Sequence, residues 1–345
     1  MTSLGRFAFR RRQGYGSLSN VTRHSTAKHI MTLFGTRPDG QDVHSHTIRA
    51  GDLSVDILTQ GAIVRNLRIT GLDYTLTPGG ETLADYLGDF KHHGPLIGPI
   101  ANRISTARVR IAGMMYELER NQDSRIHLHS GRDGTQHQIW DVVDSADDHV
   151  TLGLSMADGG AGLPGHRIFR VTYRVTAPAT LTMTVTATSY NTTMVNFANH
   201  SYWNLDGTDT WDGHSLRIAA DTYLPTDADN VPTGEVSARA GTDMDLSALR
   251  PNAPALDHNF CLSTTKTDLR DVATLTGQSG VRLTMATTET GLQVYDGRAA
   301  ATPYQALALE AQGWPDAPNH RGFPSIRLDE GETYEQVTQW RIDGY

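Results

Sequence analysis

Carboxylates and imidazoles set inside apolar runs are the residues of this 345-residue chain best placed to do chemistry. An ionisable group in a strand core is costly unless it is paired or working. Residues 306–319 (ALALEAQGWPDAPN) run an apolar strand into Glu310, then Gln312, Trp314 and a Pro-Asp turn. Burial at the end of such a strand raises a carboxyl pKa, which suits a general base near neutral pH; unpaired surface exposure is the plainer alternative. Residues 194–207 (MVNFANHSYWNLDG) mix Asn196, Asn199, His200, Ser201 and Asn204 with Phe197, Tyr202 and Trp203. Flat rings cover the C–H face of a pyranose while amides and imidazoles meet its hydroxyls, so the segment fits a sugar. It fits equally well a core strand with satisfied polar groups. Residues 94–104 (GPLIGPIANRI) end on Asn102 and Arg103, where residue type alone favours a structural ion pair. In 126–131 (IHLHSG), His127 and His129 would share a face on a strand, as would His44 and His46, and two such imidazoles can chelate a metal. Ordinary polar-face residues are the simpler account of both pairs. Asp257, beside His258 in 256–262 (LDHNFCL), puts an acid inside an apolar segment.

The elements that must position these groups are strands. From about Leu53 the apolar spacing has period two: Leu53, Val55 and Ile57; Val150, Leu152, Leu154 and Met156; Phe169, Val171, Tyr173 and Val175; Leu181, Met183, Val185 and Ala187; Val281, Leu283 and Met285. Short linkers such as Ala112-Gly113 suit hairpins rather than βαβ crossovers. Helical periodicity is confined to Thr82 to Leu87, with a turn around Met244 to Leu249. With no linker and no fixed repeat of the blade length that a propeller needs, the expectation is one all-β domain, a large antiparallel β-sandwich over residues 31–345.

Composition narrows the partners. The chain has 30 Lys plus Arg against 38 Asp plus Glu, a formal charge of −8, which argues against nucleic acid. The charge is uneven. Residues 1–30 hold Arg6, Arg10, Arg11, Arg12, Arg23 and Lys28 with no acid, so the rest carries −14. This basic leader reads as a disordered, dispensable tail or an over-extended start before Met31, with an organelle transit peptide as the alternative. A single cysteine, Cys261, excludes an intrachain disulfide, and no apolar run approaches membrane-spanning length, so a cytoplasmic protein is expected.

Taken in order, several motifs resemble the aldose 1-epimerase family, the galactose mutarotases: Asn102-Arg103-Ile104; Leu128-His129 followed by Gly131; Asn199-His200-Ser201-Tyr202 with Asn204-Leu205; Asp257-His258-Asn259-Phe260; Gly291-Leu292-Gln293-Val294-Tyr295; Leu309-Glu310 with Gln312; Pro315-Asp316-Ala317-Pro318-Asn319; and Gly331-Glu332-Thr333-Tyr334. They cover the chain from about Leu53 to its end. Ser130 departs from the glycine usual after the motif histidine, and Ala311, Gly313 and Trp314 depart from the residues commonest after the glutamate.

The resemblance implies a large β-sandwich and exchange of the α and β anomers of a free aldohexose such as glucose or galactose, with no cofactor and no metal. By motif match it makes Glu310 the base at the C1 hydroxyl and His200 the acid at the ring oxygen. His129 would bond near the ring oxygen, Arg103 and Asp257 would fix the other hydroxyls, and Asn102 would help position them. Three alternatives stand beside this reading: a hexose-6-phosphate mutarotase with an Arg cluster, a non-catalytic sugar-binding protein of the same fold, and a cupin-like metalloenzyme using His127 and His129.

Overall fold

The structure, a computed structural model, describes residues 31–246 and 255–345. The basic leader, and the part of the expected turn beyond Leu246, lie outside the described residues. The fold is all-β, a large antiparallel sandwich. Strands begin earlier than the period-two pattern indicated. Met31–Thr36 and Asp42–Ala50 precede Leu53–Leu58 and Ile63–Ile69 in a four-stranded antiparallel sheet. The first of these strands is largely exposed and at the sheet edge, so its side chains carry little alternation to read.

Behind this sheet lies an eight-stranded one, in the order 141–146, 149–156, 167–176, 180–189, 333–343, 282–287, 270–276, 215–218. In Arg167–Thr176 the residues Phe169, Val171, Tyr173 and Val175 are buried and the intervening ones are more exposed, the alternation a half-buried strand requires. These side chains join Ile48, Val55 and Ile57 of the first sheet and Phe260, Leu292, Leu307 and Leu309 of a third in one continuous core. That third sheet has six strands, ordered 202–203, 307–312, 291–295, 257–261, 222–223, 237–238.

The expected helix is Leu83–Leu87, started by a capping box in which Thr82 and Asp85 bond each other's backbone. The hairpin expected at Ala112-Gly113 joins Arg108–Ile111 to Met114–Glu117, with both turn residues at positive φ, 47° and 87°. No helix among the described residues is long and apolar enough to cross a membrane.

Two short pairings set the motif-bearing segments beside and on the third sheet. Leu96–Ile97 pairs with Ala198–Asn199, and Tyr202–Trp203 pairs with Leu307–Gln312. Their junction is tight at Gly98, where an added Cβ would lie 2.2 Å from the ring of Phe197. That ring is fully buried between Phe169 and Tyr334 and cannot retreat. Gly98→Ala is therefore expected to destabilise the fold by about 1–3 kcal/mol, the usual cost of overpacking a core. Gly322→Ala, where nothing lies within 4 Å, is expected to stay within about 0.5 kcal/mol of wild type. Equal urea midpoints for the two variants would show that this contact is not tight.

Candidate active site

Strand Leu307–Gln312 is buried on both faces. Leu307, Leu309 and Ala311 enter the main core, so the alternation turns Ala308, Glu310 and Gln312 to the opposite face. There a cavity of about 730 Å³ opens. Asn102, Arg103, His129, His200, Asp257 and Glu310, the site residues expected from the sequence, all line it.

Glu310 is 2% exposed, and its Oε1 lies 3.6 Å from His200 Nε2. That separation exceeds a hydrogen bond. Burial raises the Glu310 carboxyl well above its usual range, with Asp257 adding to the shift and Arg103 opposing it. Burial likewise pushes the His200 imidazole well below its ordinary value, reinforced by His92 and His93. Each group's neutral form is favoured, so one proton on the pair rests more easily on the carboxyl than on the ring.

His129 follows the short strand His127–Leu128 with φ 52°, and Ser130 and Gly131 continue in the left-handed region at 58° and 61°. The expected strand face shared by His127 and His129 therefore does not exist. The His127 ring bonds the Glu119 carbonyl at 2.7 Å and lines no part of the cavity, so the metal-chelating pair is overturned. Among the described residues no group of three or more His, Cys, Asp or Glu is placed to hold a metal ion, at His44 and His46 or elsewhere.

The reversal at His129 fixes its chemistry. The Asn102 backbone N–H donates to His129 Nδ1 at 3.0 Å, so the proton of the neutral ring sits on Nε2, which is left as a donor. Burial, with His92 and His200 adding to it, holds the ring well below its usual pKa and hence neutral. Ser130 replaces glycine in this strained turn and bridges Ile100 with its hydroxyl, accepting from the N–H at 2.8 Å and donating to the carbonyl at 3.1 Å.

Arg103 is both things its sequence allowed. Its guanidinium pairs with Asp257 at 3.2 Å and also lines the cavity. Gln122 accepts from Arg103 Nε at 3.0 Å, and Gln293 donates to the other Asp257 oxygen at 2.6 Å. Asp316, of the Pro-Asp turn, holds this strand by accepting from Ser105 N–H while donating its own N–H to the Arg103 carbonyl. Asn102 sits at φ 64°, a conformation asparagine tolerates, and its side-chain oxygen accepts the Arg103 N–H at 2.8 Å.

His92, His93, Tyr295 and Arg298 are among the lining residues not singled out as site residues in the sequence. His92 has its ring centroid 5.5 Å from His129 and 5.8 Å from His200. The adjacent histidines just before the 94–104 run were the available signal. Chemically the site offers a carboxyl and an imidazole side by side, a fixed N–H donor, a neutralised ion pair and aromatic walls.

Known proteins resemble this chain along nearly its whole length. The family model described as aldose 1-epimerase matches residues 44–341. A galactose mutarotase of Rattus norvegicus is 32% identical over 338 residues, spanning 90% of this chain and 97% of that protein. An aldose 1-epimerase of Escherichia coli (strain K12) is 32% identical over 337 residues, spanning 88% and 96%. The solved structure of an aldose epimerase homologue from C. elegans superposes with a TM-score of 0.81 at 26% identity, covering 87% of this chain and 99% of that one. A galactose 1-epimerase from Lactobacillus acidophilus shares the fold, with a TM-score of 0.79 at 24% identity over 92% of this chain and 98% of its own.

The raised carboxyl predicts a pH signature. At acid pH Glu310 holds its proton in folded and unfolded chains alike. Above the ordinary glutamate value of about 4.3 the unfolded chain ionises first, so stability falls as pH rises until the folded carboxyl ionises too. Glu310→Gln removes that titration. It is expected to gain stability relative to wild type near pH 8, by urea unfolding, with the gain shrinking towards about pH 4. A difference that is flat with pH, or that grows towards acid, would show that burial does not raise this carboxyl.

Proposed function

Because this chain belongs to the aldose 1-epimerase family of isomerases, we propose that it interconverts the α and β anomers of a free aldohexose such as glucose or galactose in the cytoplasm. The observation that carries this reading is the carboxyl and imidazole 3.6 Å apart on the wall of a cavity of about 730 Å³. Anomer exchange needs one base and one acid, and a hydroxyl hydrogen and a ring oxygen on adjacent sites of C1 can meet both.

The Glu310 carboxylate takes the proton of the C1 hydroxyl while the His200 imidazolium gives one to the ring oxygen. The C1–O5 bond breaks, C1 becomes an aldehyde, and the C1–C2 bond rotates. Ring closure returns both protons: Glu310 protonates the carbonyl oxygen as the C5 hydroxyl adds to the other face and gives its proton to His200. The pair carries one proton throughout. The burial that favours the neutral pair therefore favours the state the enzyme adopts around the open aldehyde, and makes the carboxylate–imidazolium pair that starts ring opening the less favoured of the two.

His129 Nε2–H supplies a donor near the ring oxygen. Arg103 and Asp257 offer a donor and an acceptor to the remaining hydroxyls, and Asn102 keeps His129 and Arg103 in place. Fixing the pyranose this way brings the C1 hydroxyl within reach of the carboxylate. No cofactor enters these steps.

The cations favour a neutral sugar over a 6-phosphate. Of those lining the cavity, Arg103 is paired with Asp257 and Arg298 with Asp296, which leaves Lys91 as the one without a carboxylate partner among the described residues. Polarimetry with α-D-glucose, α-D-galactose and their 6-phosphates tests both points. Wild type is expected to speed mutarotation of the free sugars more than of the phosphates. Glu310→Gln and His200→Asn are expected to lose about 10²- to 10⁴-fold in kcat with little change in KM, the usual contribution of a positioned acid or base. A wild type that adds nothing to the spontaneous rate with any aldose, while still binding it, would make this a sugar-binding protein instead.

A further inference from the structure

We infer that the imidazole of His200 is held in its working orientation by a column of stacked rings, His93–Tyr202–His200, which makes Tyr202 and His93 positioning residues for the reaction proposed above, on whose assignment of His200 this inference rests. A working imidazole is ordinarily oriented by a hydrogen bond to its second ring nitrogen. His200 lacks one: its Nδ1 is buried with no hydrogen-bond partner, while Nε2 faces Glu310. Something else must stop the ring from turning. The Tyr202 ring lies against it, centroids 5.1 Å apart and planes inclined by 28°. The Tyr202 ring is in turn packed against His93 at 4.2 Å and 17°, and Tyr295 meets it edge-on at 6.3 Å.

Each ring in the column is placed by backbone. Tyr202 pairs with Ala308, and directly opposed residues project to the same sheet face, so its ring shares the face of Glu310 two residues along. His93 is tied to the opposite end. His200 N–H donates to the Pro95 carbonyl and Gly94 N–H to the His200 carbonyl, both at 2.9 Å, while the Asn199 amide donates to the Gly94 carbonyl at 3.0 Å. The residues flanking His93 are thus fastened to the residues carrying the catalytic imidazole, and Phe90 packs on His93 at 4.7 Å.

The column also suits the proton that His200 must carry. An imidazolium is attracted to the face of a phenol ring within about 6 Å, which opposes the desolvation of this buried site. Burial pushes His93 down to about 4, which limits the charge it can place on the far side of Tyr202.

If flatness is what matters, any planar ring will serve at the far end. His93→Leu and Tyr202→Leu are expected to lower kcat about 10- to 100-fold, the scale of a misplaced catalytic group, with KM within about threefold of wild type. His93→Phe, which keeps a ring and discards the imidazole, is expected to recover most of that loss. Equal kcat for wild type and His93→Leu, with His200→Asn inactive, would overturn the column, as would a His93→Phe as slow as His93→Leu. A readout free of turnover guards against misfolded variants: ring-nitrogen NMR of His200 is expected to show one tautomer in wild type and His93→Phe and a mixture in His93→Leu. Identical spectra in all three would likewise overturn the column. A wild type without mutarotase activity would sink the functional reading, whereas the tautomer measurement judges the column alone.

Discussion

A carboxyl group kept out of water without a full set of partners is the constraint around which this molecule is arranged. Glu310 Oε2 is buried and accepts no hydrogen bond. Left free, such a group would move to solvent or draw polar neighbours around itself, because desolvating an unpaired charge costs several kcal/mol. The strand prevents both. Leu307–Gln312 is bonded on one side to Gly291–Tyr295 and on the other to Tyr202–Trp203, and its alternate side chains are locked in the main core. The large sandwich is thus more than a support. Its core supplies the stability that lets one strand hold an unfavourable residue in place, and the result is a carboxyl whose proton affinity is raised well above the usual.

The rest of the cavity follows from the need to bring polar groups near that carboxyl without adding net charge. Arg103 and Asp257 neutralise each other yet leave a donor and an acceptor facing the cavity. His129 is held neutral and single in tautomer by a backbone N–H, and the turn that allows this needs consecutive residues in the left-handed region. Strain at His129 and Ser130 is tolerated because Asn102, Ile100 and Gln136 all bond this turn. The site therefore presents hydroxyl-binding groups in quantity and free charge sparingly, which is the complement of a neutral polyol.

How much of this was legible in the sequence depended on whether a residue's role is written in its own neighbourhood. Glu310 stood out because a carboxylate interrupts an apolar strand, and the period-two strands were plain because each has a wet face and a dry one. Residue type alone made Arg103 an ion pair and only the motif resemblance placed it at the site, since its partner Asp257 is far along the chain. The shared face expected for His127 and His129 failed because strand alternation was carried one residue past Leu128, where the strand ends and the backbone turns. The helix at Leu83–Leu87 was legible from its helical periodicity, while Met31–Thr36, largely exposed, gave no pattern to follow. His92 and His93 escaped notice for a different reason: their importance lies entirely in rings that reach them from residues 129, 200 and 202.

The density of function in 193–203 has its own physical cause. A continuous strand would send alternate side chains to only two surfaces. Here the chain breaks into Thr193–Met194, Ala198–Asn199 and Tyr202–Trp203, each paired with a different strand: Arg327–Leu328, Leu96–Ile97 and Leu307–Gln312. Every break re-aims the next side chain. Phe197 and Trp203 enter the core, Asn199 ties down Gly94, His200 reaches the cavity, and Tyr202 stacks behind it. Such a path leaves few repeated backbone bonds to hold it, so its order must come from the elements on either side. That is why a close contact between Gly98 and Phe197 bears on where the imidazole of His200 finally rests.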